Sequence, residues 1–312
     1  MNPLRGLLLL VIFSSNHLYS QPDSALIDDI YSVLVIDSLT IQAPPAELDI
    51  KYFIDQTVHD TTFYKAFRNL RSSSYQFRSE LYFYDKNFNP KTYLRSERVQ
   101  YFDHNYRSNK IISEQFDKKF YKGNGDYRYF TAAMYDRLFF TNGKVKVDTA
   151  ISKLEYSDPD SKMESYINEL KKLVFQPGRE IDIPFIGHKF SVFDSDLKKH
   201  YNFYLKTDTI TFPSPAYIFE VTVKPDSPEK ATAVKSLKTY FKKDNFQILG
   251  RRIQLAYKTL IYSFDVEMNI ETIKYENKYY PGQINYTGSW NIPFKSSENC
   301  EFSFNIVRFL GD

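Results

Sequence analysis

The chain has 312 residues, with 41 Lys and Arg against 38 Asp and Glu and a single cysteine. So balanced a charge leaves no electrostatic footprint for nucleic acid, and one cysteine excludes an internal disulfide framework. Stability must come from a core, for which 26 Tyr and 27 Phe provide bulk, while only 10 Gly argue against propellers and fibrous repeats.

The first residues, "MNPLRGLLLLVIFSSNHLYSQ", have the form of a secretory signal peptide over residues 1–20. Arg5 is the positive start, Gly6 to Phe13 the apolar run, and the cut falls between Ser20 and Gln21. The run is far short of the ~20 residues that span a bilayer, so no transmembrane segment is expected in the mature chain. No cysteine follows the apolar run for lipid attachment. Cleavage removes Arg5 and no acid, leaving 40 basic against 38 acidic side chains.

Residues 21–50 read as an N-terminal segment and linker, broken at Pro44-Pro45. A helix follows in "TTFYKAFRNLR", capped by Asp60 or Thr61, with Phe63, Phe67 and Leu70 at helical spacing. "SYQFRSELYFYD" then alternates, with Tyr75, Phe77, Ser79, Leu81 and Phe83 on one face. "NFNP" turns the chain into "KTYLRSERVQYF", which makes an antiparallel hairpin with one wet face. "YRYFTAAMYDRLFF" is helical in composition, and "TNG" turns into a short "KVKVD" strand. In "DPDSKMESYINELKKLVFQPG" a helix opens at Pro159 and Asp160 or Ser161 and stops at Pro177-Gly178. Met163, Tyr166, Ile167, Leu170 and Val174 share its face.

From Ile181 onward strands predominate: "YNFYLKT", "YIFEVTVKPD", "LKTYFKKDNFQILGRRIQLAY", "IYSFDVEMNIETIKY", "GQINYTGSW" and "CEFSFNIVRF". Alternation slips phase at Gly250, which predicts a bulge. Pro281-Gly282 reads as the turn after "IYSFDVEMNIETIKY", with Ile284, Tyr286 and Trp290 on a further strand ended by Pro293. Cys300, in phase with Phe302, Phe304 and Ile306, reads as a small buried apolar residue. The fold class is therefore α+β, mostly β. A long curved antiparallel sheet, an unclosed barrel, is covered by two or three helices, with Ser161–Val174 and Thr61–Arg71 as covers. Residues 51–312 read as one large antiparallel-sheet domain, or as two halves, 51–178 and 179–312.

Candidate chemistry is sparse. His188, Asp194, Asp196 and His200 offer metal-ligating groups within a short span, but their spacing matches no compact metal motif, and Asp194-Ser195-Asp196 reads as a polar turn. No metal or other cofactor is expected. Asp265 and Glu267 could flank a sugar as a carboxylate pair, yet their face continues through Asn269 and Glu271, as a solvated face does. Neither a nucleophile elbow nor a phosphate-binding or dinucleotide-binding glycine loop occurs, so no catalytic residue is assigned. Asn285-Tyr286-Thr287 fits an N-glycosylation acceptor.

The succession "YIFEVTVKP", "LKTYFKKDNFQILGRRIQLAY", "YSFDVEMNIE" and "YYPGQINYTGSW", from Ala216 to Phe309, resembles the periplasmic lipoprotein carriers of the LolA/LolB type. It also resembles uncharacterised exported proteins of Gram-negative bacteria that share that unclosed barrel. The resemblance implies a curved sheet, capped by helices, around an apolar cavity for acyl chains. Phe219, Val221, Phe264, Val266 and Met268 would line it, with Trp290 on the adjoining strand. The chain is longer than a typical carrier, and its N-terminal half lies outside the resemblance.

The expected role is an exported, non-enzymatic envelope protein that binds an apolar or lipidic ligand, or an envelope protein partner, on the curved sheet. Its expected place is the periplasm, the outer membrane or the exterior of a Gram-negative bacterium. The rivals are a secreted metal-dependent hydrolase using His188–His200 and a surface protein that stacks carbohydrate on Trp290. A cavity under the Ser161–Val174 helix favours the first; a filled core there disfavours it.

Overall fold

A computed structural model describes residues 49–147, 162–260, 263–291 and 296–311. The expected signal peptide, most of the N-terminal segment, the opening of the 162–175 helix and Pro293 lie outside the described residues.

Two helices come first. Helix α1 (Ile50–His59) is capped by Asp49, whose carboxylate accepts the Tyr52 backbone N–H at 2.8 Å. It buries Ile50, Phe53 and Thr57, one stripe at helical spacing. Helix α2 (Thr62–Arg71) buries Phe63, Ala66 and Leu70. Of the two capping candidates it is Asp60 that caps, accepting the Phe63 N–H at 2.8 Å, while Thr61 makes no side-chain cap.

Strands β1 (Tyr75–Tyr84), β2 (Pro90–Asp103) and β3 (Tyr106–Phe116) form a meander. His104 and Asn105 both take positive φ, 47° and 63°, between β2 and β3, as a two-residue hairpin turn with right-handed strand twist requires. Helix α3 (Phe130–Phe139), strand β4 (Lys144–Lys146) and helix α4 (Lys162–Phe175) follow, then the one-turn helix α5 (Ser195–Lys198). Seven further strands complete the chain: β5 (Tyr201–Asp208), β6 (Ala216–Val223), β7 (Val234–Lys242), β8 (Ile248–Lys258), β9 (Ser263–Tyr275), β10 (Lys278–Asn291) and β11 (Glu298–Phe309).

All eleven strands belong to one antiparallel sheet, in the order β4-β3-β2-β1-β11-β10-β9-β8-β7-β6-β5. Strands β4 and β5 are its two free edges, so the barrel is unclosed. The last strand inserts beside the first, with Tyr75 opposite Phe309 and Tyr84 opposite Asn299. A flat sheet of this many strands, about 4.8 Å apart, would be roughly 48 Å wide. Instead, residues from β1, β2, β5–β11 and all four long helices share one hydrophobic cluster, so the sheet bends around the helices. Register shifts accompany the bend on β1, β2, β7, β8 and β10. The bulge expected at Gly250 is there: Tyr240 pairs with Gly250 and Phe241 with Ile248, leaving Leu249 unpaired.

The sheet also departs from the sequence reading in three places. Helix α1 is an additional cover. Strand β3 was not anticipated, because it is exposed along most of both faces and offers no alternation to read. Pro281-Gly282 does not turn the chain. The β9–β10 turn is at Glu276-Asn277, with Glu276 at φ 52°, and Tyr275 pairs with Lys278. Pro281 lies inside β10, where the register shift between Pro281 and Gln283 tolerates its missing N–H.

Candidate functional site

Under α4, where that helix faces α2, α3 and the sheet, lies a cavity of about 130 Å³. Its wall from α4 is Ile167, Leu170, Lys171, Val174 and Phe175, and from α3 it is Leu138 and Phe139. The floor is Met268 and Ile270 of β9, Ile284 of β10 and Phe302 of β11. These inward positions follow from the period of two along each strand: Met268, Ile270 and Ile284 are buried, while Glu267 and Gln283 are exposed on the other face.

The C-terminal end of α4 is held firmly. Phe175 meets Phe67 and Tyr64 edge-on at 5.0 and 5.2 Å between ring centroids. Gln176 N donates to Lys172 O at 2.9 Å, and Gly178, at φ 83°, ends the helix. A Cβ at Gly178 would run into the Phe193 ring, so only glycine fits. Buried Glu169 accepts the Asp182 N–H at 2.6 Å and Lys172 Nζ at 2.9 Å, tying the following loop back onto the helix.

Helix α3 is positioned from the sheet. Glu298 accepts the backbone N–H groups of Phe130 at 2.6 Å and of Thr131 at 3.0 Å, so one carboxylate from β11 caps the helix twice. Trp290 donates Nε1–H to Thr131 Oγ1 at 3.1 Å, and its ring meets Phe130 at 5.8 Å and 79°. Phe130 in turn meets Tyr166 of α4 at 5.4 Å. Trp290 therefore ties β10 to α3 and, through Phe130, to α4.

The cavity is apolar inside and basic at one side. Arg68 and Arg71 of α2, Arg107 of β3 and Lys171 of α4 all line it. Burial, and secondarily the Arg71 charge, lower the pKa of both Arg107 and Lys171. Burial raises that of the Tyr75 phenol, against the pull of Arg107 and Arg71.

Of the six residues expected to line a ligand site, the structure brings only Met268 to this cavity. Phe219 and Val221 lie in a filled part of the core beneath α1, where Phe53 stacks on Phe219 at 6.1 Å. Val266 packs against the same core. Phe264 and Trp290 border a separate shallow hollow of about 330 Å³, together with Asp265, Lys235 and Glu229.

Of the four metal-ligand candidates, His188 and Asp196 meet each other, while His200 is bonded elsewhere. His188 Nε2 contacts Asp196 Oδ2 at 2.6 Å, and His200 Nδ1 contacts Ser227 Oγ at 3.0 Å. Burial raises the Asp194 pKa; for Asp196 the His188 ring outweighs burial and holds the carboxyl low. Among the described residues, no group of three or more His, Cys, Asp or Glu could hold a metal ion. Sequence reasoning missed Arg71, Arg107 and Lys171. Only the i, i+3 spacing of Arg68 and Arg71 beside Phe67 hinted at a basic edge on a buried helix face.

No family model matches the chain, and no curated protein matches it. Among solved structures it is similar to a domain assigned to outer membrane lipoprotein sorting from Vibrio parahaemolyticus, at 9% identity and TM-score 0.26, covering 78% of this chain and 88% of that one. A LolA superfamily protein from Nitrosomonas europaea is similar at 10% identity and TM-score 0.24, covering 82% and 96%. A DUF1329 family protein from Desulfovibrio piger is similar at 11% identity and TM-score 0.21, covering 82% and 95%.

Proposed function

We propose that the chain is an exported, non-enzymatic envelope protein that holds an apolar chain or ring between α4 and the sheet. The observation that carries this is the cavity under the 162–175 helix, apolar on most of its surface and walled by three helices. Pockets of this kind, with few polar groups at one side, are where small apolar ligands bind.

Its volume sets the scale. A cavity of roughly 150 Å³ accepts benzene, so about 130 Å³ encloses about six carbons, and a larger ligand projects from its open side. At ~0.8 kcal/mol per buried methylene, six contribute about 5 kcal/mol, equivalent to a Kd of roughly 0.2 mM. Affinity should rise about fourfold per methylene up to that length and then flatten.

The hydrolase reading lacks a converged centre, since His188 and His200 have different partners. The Trp290 N–H is bonded to Thr131 and its ring packs at 79° to Phe130, which gives that ring a role in joining β10 to α3. Export rests on the reading of residues 1–20. Titration with N-phenyl-1-naphthylamine tests the proposal. Saturable binding by the native chain, lost in Ile284→Phe, supports it; no saturable binding, or equal binding by the filled variant, overturns it.

A further inference from the structure

Several cations of the sheet are paired with carboxylates: Arg98 with Glu114 at 2.6 Å, Arg78 with Glu97 at 2.9 Å, and Lys238 and Lys206 with Glu220 at 2.8 and 3.1 Å. Among the described residues, Arg71, Arg107 and Lys171 have no carboxylate within ion-pair distance. Lys171 Nζ donates to Asn168 Oδ1 at 3.4 Å, a neutral partner.

These three come from α2, β3 and α4, elements far apart in sequence, and they converge. Arg71 and Arg107 both act on the Tyr75 phenol, and Arg71 repels both Arg107 and Lys171. Basic groups beside apolar surface are ordinarily paired, and an uncompensated cluster is stabilised by whatever anion enters it. Two guanidinium groups present fork-shaped donor sets that suit the oxygens of a carboxylate or a phosphate. A free anion would use the cations alone, yet they stand on the rim of an apolar hollow.

We infer that the ligand is a single-chain amphiphile with an anionic head, its tail on Met268, Ile270 and Ile284 and its carboxylate or phosphate at Arg71, Arg107 and Lys171. This rests on the reading that the cavity takes an apolar chain. Arg71 is exposed and Arg107 and Lys171 are half-buried, so the head faces solvent while the tail is enclosed.

Displacement of N-phenyl-1-naphthylamine from the full chain tests this, with decanoate, decyl phosphate, decanol, decyltrimethylammonium and inorganic phosphate, each below its micelle concentration. Decanoate and decyl phosphate should displace the probe at concentrations about tenfold or more below decanol, with the cationic amphiphile weakest and inorganic phosphate inactive. In Arg71→Gln/Arg107→Gln/Lys171→Gln the preference for the anions should fall about tenfold while decanol is unchanged. Equal displacement by decanol and decanoate overturns the anionic head and leaves the apolar-ligand reading standing. Displacement by none of the amphiphiles sinks both, and displacement by inorganic phosphate alone makes the cluster a simple anion site, against the inference. If the triple variant loses its far-ultraviolet dichroism, the single Arg71→Glu variant decides. A loss of decanoate affinity of about threefold or more supports the inference, and no loss overturns it.

Discussion

Arg251 of β8 donates Nη1–H to the carbonyl oxygen of Val174, in the last turn of α4, at 2.5 Å. The same guanidinium reaches Thr239 Oγ1 at 3.2 Å and lies 5.0 Å from the Phe63 ring centroid. It is fully buried, and burial brings its pKa down from 12.5 to about 10. One sheet cation therefore holds the C-terminal end of the helix that roofs the cavity, where the helix dipole favours positive charge. Arg251→Met should remove that bond and leave a buried carbonyl unsatisfied, at a cost of about 2 kcal/mol. Urea unfolding checks this, with exposed Arg252→Gln as a neighbour expected to change stability by about 0.5 kcal/mol or less.

Glu298 anchors α3 with two charge-assisted bonds to its first backbone N–H groups. Glu298→Ala should cost about 2 kcal/mol, and Glu298→Gln about half as much, because the amide keeps one acceptor but loses the charge. Near-ultraviolet dichroism of Trp290 gives an independent readout, since Trp290 is bonded to Thr131 in the same turn.

Glu220 links three strands by ion pairs to Lys206 and Lys238. Burial alone would raise its pKa, but the two lysines outweigh burial and hold it below 4.5. A carboxyl lowered in the folded state contributes stability that is present above its unfolded pKa. That stability is lost as pH falls through the folded value. Stability measured by urea at stepped pH should therefore decline below pH 4.5 less steeply in Glu220→Gln than in the native chain. Identical acid limbs would contradict the assignment.

Cys300 is buried beneath α3, and burial pushes its thiol up to about 12. Thiolate is the reactive form, so the native protein should resist a disulfide-exchange reagent at neutral pH and react fully in denaturant. Rapid labelling under native conditions would mean that the β11–α3 contact opens readily.

Legibility in the sequence followed exposure. Strands β1 and β9 alternate because one face is wet and the other packed, so pattern alone puts Phe77 and Leu81 on one face of β1 and Asp265 and Glu267 on the wet face of β9. Strand β3 places Ile111, Ile112 and Phe116 in the open, and nothing in that run distinguishes a face. Pro281-Gly282 carries a strong turn signal that the sheet overrides with a bulge, while the true turn at Glu276-Asn277 carries a weak one. Helix α4 as a cover, with Met268 below it, was foreseeable. The basic cluster was not, because Arg71, Arg107 and Lys171 meet only once the sheet bends.

The most direct measurement of ligand entry is the methyl spectrum of the chain labelled with ¹³C at the methionine methyl groups. Met268 forms part of the cavity floor, whereas Met134 on α3 does not line the cavity. Titration with decanoate should shift the Met268 methyl resonance saturably and leave Met134 in place. A Met268 resonance that does not move, or that moves only together with Met134 and without saturation, would contradict ligand binding in this cavity.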